Sequence, residues 1–281
     1  FGLLAQRSRR DGVIIRKVQV PTPAAAEDEI VSAFARAISS RTRLVLITHV
    51  ALTGQVFPVA RLCALARDAG AVSLVDGALA IAHVPVDVSA AGCDFYCGNF
   101  HKWAGGPPAT GIFFARTERI EDLSPLFGFA SVDDQGNVDT AAENTLMSKF
   151  TTVGRHPEYH FDALDILFDW HERIGAPQRE NRLRDLARSW LKEGIPGFRV
   201  AARPELSASL AAWEIRGKST SDLADLLWER HGLVLGVTDP LPGLFGEDRP
   251  RSMMLANTAL FTNDADLARL LNGIEDMARN G

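Results

Sequence analysis

The feature that most constrains the fold is a series of short apolar runs that alternate with helical patterns in the first half of the chain. The runs "RLVLITHV" at residues 43–50 and "AVSLVDGA" at residues 71–78 are almost continuously apolar, which is typical of strands buried on both faces of a sheet. Between them, residues 57–69 repeat apolar side chains at helical spacing and end at Gly70. This alternation of strand, helix and strand predicts a mainly parallel α/β sheet.

Other segments extend the pattern and divide the chain. "AEDEIVSAFARAI" predicts a helix, and "CDFYCGN" and "TGIFFAR" predict further strands. β-branched residues in "GVIIRKVQV" predict a strand at residues 12–20, whereas residues 131–140 are typical of a polar loop. The second half predicts two helices, the strand "SASLAAWEI", a capped helix and an amphipathic C-terminal helix. We therefore expect a large domain at residues 1–155 and a smaller α+β domain at residues 156–281.

Composition and charge exclude several classes of protein. With 46% apolar and 23% charged residues, the chain has an ordinary globular composition. Its formal net charge of −5 argues against a nucleic-acid partner, and no apolar run approaches the ~20 residues of a membrane span. The three cysteines, Cys63, Cys93 and Cys97, form neither a disulfide framework nor a metal-ligand pattern. A cytoplasmic location is the expectation.

Two charged residues stand out at the ends of predicted strands. Asp76 closes the strand "VSLVD", and in an open α/β sheet ligands bind beyond the carboxyl ends of the strands. Lys102 lies between His101 and Trp103 and before a pair of glycines, in a turn that follows the next strand. A lysine that forms a Schiff base needs a confined pocket that lowers its pKa. The alternatives are a turn or helix-capping role for Asp76 and a surface position for Lys102.

The segment that carries both residues, "LVDGALAIAHVPVDVSAAGCDFYCGNFHKWAGGPPATGIFF", resembles the core of the class V aminotransferase family of pyridoxal-phosphate enzymes. The similarity is greatest to the branch of isopenicillin N epimerase-like and C–S lyase-like enzymes. It runs from Phe1 to the C-terminal helix, and it is most specific over residues 43–114. The resemblance implies a type I aminotransferase fold, a pyridoxal 5'-phosphate cofactor and a homodimer whose active site lies near the interface.

The resemblance also implies roles for individual residues. Lys102 would hold the cofactor as a Schiff base and act as acid and base at the substrate Cα, and Asp76 would pair with the pyridine nitrogen. Further expected cofactor contacts come from His101 and Asn99 near the phosphate, Ala78 beneath the ring, and His49 and Thr53. Arg155, in "TTVGRHPEY", matches a family loop that approaches the active site, which makes it the candidate for binding the substrate. His49 is equally consistent with a buried structural histidine, and Arg155 with a surface arginine.

Three features depart from the pattern of the family. Leu79 occupies the position where relatives have His or Gln in contact with the phenolic oxygen of the cofactor, and it cannot donate that hydrogen bond. Met253 or Met254 lies near the position of an arginine that grips the substrate carboxylate, and Arg251 is offset from it. The N-terminal segment of the family, which carries a phosphate-binding loop, is expected to be absent from this chain.

The family supports several reactions, and one of them is disfavoured here. A cysteine desulfurase needs a mobile nucleophilic cysteine in its second half, whereas no cysteine follows Cys97. We therefore expect a lyase or an epimerase acting at the Cα or Cβ of a small amino-acid-like substrate, with an aminotransferase as the alternative. A cofactor-free homologue that serves as a scaffold is a second alternative, favoured by the departures and disfavoured by the presence of Asp76 and Lys102. A metal enzyme is not expected, because the histidines make no ligand pair.

Overall fold

The computed structural model describes residues 2–124, 131–132, 135–139, 159–191 and 194–280. The α-helices are α1 (Gly2–Asp11), α2 (Glu27–Ala37), α3 (Val59–Asp68), α4 (Val88–Ala91), α5 (Tyr159–Ile174), α6 (Ala176–Trp190), α7 (Thr220–His231) and α8 (Asp264–Asn280). The strands are β1 (Leu44–Thr48), β2 (Val72–Gly77), β3 (Phe95–Asn99), β4 (Gly111–Ala115), β5 (Ser131–Val132), β6 (Val138–Asp139), β7 (Phe198–Val200), β8 (Leu210–Ile215), β9 (Gly236–Val237) and β10 (Met254–Asn257).

The first sheet has four strands in the order β1-β2-β3-β4. Strands β1, β2 and β3 are parallel, and β4 joins β3 in the antiparallel sense. The register places Asp76 beside Thr48 on one side and beside Cys97 on the other. The mainly parallel α/β sheet predicted from the alternating apolar runs is thus confirmed.

The two faces of the first sheet are covered differently. On one face, Ile47 and Val75 pack with Ile30, Phe34 and Leu62 of α2 and α3, and all five are buried. The opposite face carries other strand residues because successive side chains of a strand alternate between faces. There Leu44, Leu46 and Phe113 are exposed, although they are large and apolar. The first core therefore lies on the helix side of the sheet.

The second sheet has the strand order β7-β8-β10-β9, and its named pairs are antiparallel. Every residue of β8 is buried. Helices α6, α7 and α8 pack on this sheet around Trp190, Trp213, Leu227, Met254 and Ile274. This is the α+β arrangement predicted for the C-terminal part of the chain.

A loop at residues 51–57 joins the two sheets through backbone contacts. The Gly54 carbonyl accepts a hydrogen bond from the Ala208 N–H (2.9 Å), and the Val56 N–H donates to the Leu206 carbonyl (2.9 Å). Gly54 has a φ of +93°, and a Cβ there would lie 2.1 Å from the Leu210 carbonyl oxygen. Only glycine permits this backbone approach without a shift. The end of β1 is therefore held against the second sheet.

Two details differ from the sequence-based expectations. Residues 12–20 form no strand, because their backbone pairs with no neighbouring strand in the described structure, although Val18 and Val20 pack on the first core. Conversely, the polar segment at residues 131–140 contains the short antiparallel strands β5 and β6. Among the helices that the structure describes, none is long and apolar enough to cross a membrane.

Candidate active site

The candidate site lies at the edge of the first sheet where β1, β2 and β3 end. Because these strands are parallel, their carboxyl ends meet at one edge. Asp76 lies near the end of β2, and Lys102 lies three residues beyond Asn99, the last residue of β3. Asp76 pairs with Cys97, so the alternation of β3 places Asn99 on the same face as Asp76. The fold thus brings the predicted acid and the lysine-bearing turn to adjacent strand ends.

The half-buried carboxylate of Asp76 is held by its own backbone. Its Oδ1 accepts a hydrogen bond from the Ala78 N–H (2.9 Å). Within the described part of the chain, its Oδ2 accepts no hydrogen bond. The carboxylate is therefore oriented through Oδ1 by the backbone of the turn that follows β2. The structure thus shows the turn interaction that the sequence left as one alternative, and the role of Asp76 as a ligand of the cofactor stays a prediction.

His49 follows β1 and contacts the aromatic side chain of Tyr96. Its backbone N–H donates to the Asp76 carbonyl (2.8 Å), and its Nδ1 lies 2.9 Å from the Tyr96 hydroxyl. Burial lowers the pKa of His49 to about 4, so the ring is neutral near pH 7. Burial raises the pKa of Tyr96, so the phenol also stays neutral. A Cβ at Gly77 would lie 2.2 Å from that hydroxyl, which explains the glycine beside Asp76.

Residues 100–106, which we call the lysine turn, are closed by their own hydrogen bonds. The Gly105 N–H donates to the Lys102 carbonyl (3.0 Å), and the Gly106 N–H donates to the Phe100 carbonyl (2.7 Å). His101 Nδ1 lies 3.2 Å from the Thr110 carbonyl oxygen. Because a carbonyl oxygen only accepts, Nδ1 carries the proton and Nε2 is the nitrogen left for a ligand.

The side chains of Lys102 and His101 are exposed. The described residues alone therefore do not provide the confined pocket that a Schiff-base lysine was expected to need. The lysine turn nevertheless has a fixed geometry, because its hydrogen bonds and the contacts of Phe100 and Ala104 restrain it on both sides of the lysine.

Helix α5 contacts the lysine turn on both sides of Lys102, at Phe100 and at Ala104. The Phe168 ring meets the Phe100 ring edge-on at a centroid distance of 5.3 Å. His171 Nε2 lies 2.9 Å from the carbonyl oxygen of the buried Ala104, and Arg179 donates to His171 Nδ1 (3.4 Å). Since arginine only donates, His171 Nδ1 accepts and Nε2 donates to Ala104. The backbone on the C-terminal side of Lys102 is thus held by a helix that the motif did not indicate.

The remaining predicted residues lie in different surroundings. Thr53 belongs to the loop that contacts β8, where its carbonyl accepts from the Ala212 N–H (3.2 Å). Leu79 packs on a small cluster formed by Val50, Ala80 and Ala208, in which its apolar side chain is well suited. Arg155 lies outside the described residues, so its role as a substrate ligand remains a prediction.

Arg251, the offset arginine, is held in a charge network. Its Nη1 donates to Glu214 Oε2 (2.8 Å), and its Nη2 pairs with Glu247. Arg199 donates to the other oxygen of Glu214 (Nε–Oε1, 2.7 Å). Met253, next to the position of the family arginine, is fully buried. This part of the second sheet therefore presents paired charges and core methionines rather than a free guanidinium for a carboxylate.

Sequence reasoning missed His83 as a residue of this region. His83 is 3% exposed, and its ring stacks on Trp103, the neighbour of Lys102, at a centroid distance of 3.5 Å. Trp103 lies 20 positions further along the chain, and the short segment "AHVP" carries no motif that points to it. The only available signal was a histidine within the apolar run "ALAIAHVPV" that follows Asp76.

Comparisons with known proteins identify the family and the fold. The family model described as aminotransferase class-V matches residues 3–236. An isopenicillin N epimerase from Amycolatopsis lactamdurans is 27% identical over 286 residues, which cover 97% of this chain and 69% of that protein. A probable cysteine desulfurase from Xylella fastidiosa strain 9a5c is 33% identical over 193 residues, which cover 68% of this chain and 46% of that protein.

A solved structure has the same fold. It is a cystine C–S lyase in complex with its product, cysteine persulfide, and it superposes with a TM-score of 0.79 at 20% sequence identity. The match covers 98% of this chain and 71% of that one. The type I fold expected from the sequence is thereby confirmed. Since the family model spans more than half of the chain, the chain belongs to the aminotransferase class-V family of pyridoxal-phosphate-dependent enzymes.

Proposed function

We propose that this chain is a lyase or epimerase that exchanges a proton at the Cα of an amino-acid-like substrate. The observation that carries the proposal is the placement of Asp76 and of the lysine turn at the carboxyl ends of two adjacent parallel strands. An acid and an amine in this relation fit the two ends of a pyridoxal phosphate ring, its nitrogen and its aldehyde. The donor set therefore suits the cofactor of the family.

When bound, pyridoxal phosphate supplies an electron sink for charge that develops at the substrate Cα. Asp76 would place a negative charge beside the ring nitrogen and would keep that nitrogen protonated. Lys102 would hold the cofactor through its amine and would move a proton to and from the substrate Cα. The other proposed contacts are His101 and Asn99 for the phosphate, Ala78, His49 and Thr53 for the cofactor, and Arg155 for the substrate carboxylate.

The choice between reactions rests on nucleophiles and charges. The sequence contains no cysteine after Cys97, so a persulfide on a cysteine of the second half is not supported. Elimination and epimerisation need only a proton carrier at Cα, which Lys102 supplies. Arg251 is engaged with Glu214, which favours Arg155 as the residue that binds the carboxylate. Family membership and the retained pair of Asp76 and Lys102 disfavour a cofactor-free scaffold.

The same proposal includes the assembly, the location and the domain division. Large apolar side chains of α5, including Tyr159, Ile166 and Trp170, are exposed, which favours burial in a homodimer. The three cysteines are free, which fits the cytoplasm. The two separate sheets support a division near residue 155. Light scattering tests the dimer, since a monomer at micromolar concentration would contradict it.

The covalent step is tested by trapping the cofactor on its lysine. The chain is incubated with pyridoxal phosphate, reduced with borohydride, digested and analysed by mass spectrometry. We expect a yellow protein whose pyridoxyl group maps to Lys102. Lys102→Ala should abolish the label, whereas the exposed control Lys218→Ala should retain it. A colourless protein, or a label on another lysine, would overturn the assignment.

The reaction is tested with a panel of amino acids and thioethers in deuterated water. Deuterium at Cα with a mixture of both configurations indicates epimerisation. Release of a keto acid with ammonia and a thiol indicates elimination, and a keto acid with an aminated cofactor indicates the aminotransferase alternative. Absence of Cα exchange with every substrate, in protein that carries the trapped cofactor, would contradict proton transfer by Lys102.

A further inference from the structure

His83 has both ring nitrogens bonded within the protein interior. Its Nδ1 lies 2.8 Å from the Leu79 carbonyl oxygen, and its Nε2 lies 2.8 Å from the backbone nitrogen of Ser209. The Leu79 carbonyl only accepts and the Ser209 N–H only donates, so Nδ1 donates and Nε2 accepts. One neutral tautomer satisfies both contacts. His83 is therefore saturated with hydrogen bonds and cannot act as a proton carrier without losing one of them.

The face of the same ring contacts the lysine turn. His83 and Trp103 stack with an interplanar angle of 12° and a centroid distance of 3.5 Å. Trp103 directly follows Lys102, and Leu79 directly follows Ala78 in the turn beyond Asp76. One buried side chain thus contacts the turns that follow β2 and β3. These are the two turns that carry the proposed cofactor residues.

The third contact of His83 leads into the core of the second sheet. Ser209 Oγ lies 2.8 Å from Thr258 Oγ1, and Trp190 Nε1 donates to the same Thr258 oxygen (3.3 Å). Ser209, Thr258 and Trp190 are all buried. The residue that receives His83 is therefore held by interior contacts and offers a rigid support.

We propose that His83 is a positioning residue that fixes the lysine turn relative to the Asp76 end of β2, with β8 as its support. The inference rests on the proposed function only for the identity of Lys102 as the reactive amine. The geometric claim, that His83 holds residues 100–106 through Trp103, stands independently of the reaction. The two claims can therefore fail separately.

Two variants of His83 separate the stacked ring from the hydrogen bonds. In His83→Gln, the amide can still accept from the Ser209 N–H, but no ring remains to stack on Trp103. In His83→Phe, a ring remains, but the Leu79 carbonyl and the Ser209 N–H lose their partner in the interior. His231→Gln is the matched control, because His231 pairs with Asp276 between α7 and α8.

The readout is amide hydrogen exchange in the lysine turn of the full chain, measured with and without pyridoxal phosphate. The amides of Gly105 and Gly106 report directly, because they donate to carbonyls of the turn. His83→Gln should accelerate their exchange about tenfold while helices α7 and α8 keep their protection. Compared with His83→Gln, His83→Phe should cause a larger loss of overall stability and a smaller loss of protection in the lysine turn. His231→Gln should leave the turn unchanged.

Three outcomes would overturn the inference. The first is a folded His83→Gln protein whose turn exchanges at the wild-type rate, and the second is an acceleration spread evenly over the chain. If His83→Gln does not fold, Trp103→Leu removes the stacked ring on the side of the lysine turn. The third outcome is a Trp103→Leu protein whose turn amides exchange at the wild-type rate. A protein that never traps cofactor on Lys102 would overturn the proposed function, while the exchange data would still decide the role of His83.

Discussion

Ser73 of strand β2 and Asp94, the residue just before strand β3, form reciprocal hydrogen bonds. Asp94 Oδ2 accepts from the backbone N–H (2.8 Å) and from the hydroxyl (2.9 Å) of Ser73, and the Asp94 N–H donates to the Ser73 Oγ (2.9 Å). Arg119 donates to the other carboxylate oxygen (Nε–Oδ1, 3.1 Å). Both Ser73 and Asp94 are buried. This contact fixes the register of the two strands whose opposite ends carry Asp76 and the lysine turn.

We therefore expect Asp94→Asn to weaken the first sheet. Burial alone would raise the pKa of Asp94, but the bonds from Ser73 and Arg119 outweigh it and bring the pKa below its ordinary value of 3.8. The carboxylate thus stabilises the fold above about pH 4, and this contribution is lost as the pH falls through the folded pKa. Urea unfolding near pH 7 should show a loss of about 1–3 kcal/mol.

The control for Asp94 is Asp122→Asn. Asp122 also pairs with Arg119 (Oδ2–Nη1, 3.2 Å), but its side chain is 53% exposed. Its replacement should change the unfolding free energy by less than about 0.5 kcal/mol. Equal losses in the two variants would mean that the charge of Arg119, rather than the bonds to Ser73, explains the effect.

The sequence predicted the parts of the fold that depend on local patterns. Strands β1 to β3 followed from their apolar runs, and α2 and α3 followed from their periodicity, because these signals persist over a whole element. The strand expected at residues 12–20 was wrong because β-branched residues supply only a propensity, and a strand also needs a neighbour with free backbone groups. Strands β5 and β6 have two residues each, which is too short for any periodicity to appear.

The residues of the candidate site also differ in whether a local sequence pattern could predict them. Asp76 precedes Gly77 at the end of a predicted strand, and Lys102 lies shortly before Gly105 and Gly106, so a local motif made both residues candidates. His83 and Arg251 depend on partners 126 and 37 positions away, Ser209 and Glu214. No local pattern encodes such distances, and only the folded chain brings the partners together.

We expect Asp76→Asn to reduce turnover strongly without unfolding the protein. The amide oxygen can keep the bond from the Ala78 N–H, while the negative charge at the strand end is removed. Loss of that charge should slow Cα proton exchange by about 10²–10⁴-fold, the range typical of an essential acid–base contribution. Asp87→Asn is the control, since Asp87 caps α4 through the Ala90 N–H. A variant of Asp76 with wild-type exchange rates would contradict its proposed pairing with the cofactor.

Arg251→Gln distinguishes a structural arginine from a substrate ligand. Removal of Arg251 leaves Glu214, whose side chain is 10% exposed, with Arg199 as its remaining charged partner. We expect a loss of about 1 kcal/mol in unfolding free energy and an unchanged KM, because the guanidinium is already engaged. A KM raised tenfold or more in a protein of wild-type stability would show that Arg251 grips the substrate. Arg279→Gln, which breaks an exposed pair with Glu275, should change neither quantity.

Gly54→Ala tests the contact between the loop at residues 51–57 and β8. The added Cβ would lie 2.1 Å from the Leu210 carbonyl oxygen, and the backbone there has a φ of +93°. Gly70→Ala is a matched control, because Gly70 has a φ of +68° but no atom within 4 Å of an added Cβ. We expect about 1 kcal/mol of destabilisation for Gly70→Ala and more than about 3 kcal/mol for Gly54→Ala. Equal losses in thermal or urea unfolding would mean that strain alone, without the backbone clash, determines the cost.

The neutral histidines His49 and His83 predict that stability falls as the solution becomes mildly acidic. Burial lowers the pKa of each ring to about 4 from an ordinary value of 6.5. Between these two pKa values the unfolded chain binds protons that the folded chain excludes, so the unfolding free energy decreases as the pH falls from about 6.5 towards 4. Each ring contributes up to about 3 kcal/mol to this decrease.

The test is a series of urea unfolding curves between about pH 7 and pH 4.5, a window above the titration of Asp94. His49→Gln should make the unfolding free energy depend less on pH, because it removes one buried ring that binds a proton only when the chain unfolds. His83→Gln should reduce the pH dependence by a similar amount, and a nitrogen NMR spectrum of the wild type should show His83 with its proton on Nδ1 throughout the window. Variant and wild-type curves that run parallel would mean that these rings take up protons in the folded state, and that the hydrogen bond between Ser209 and His83 opens without cost to the fold.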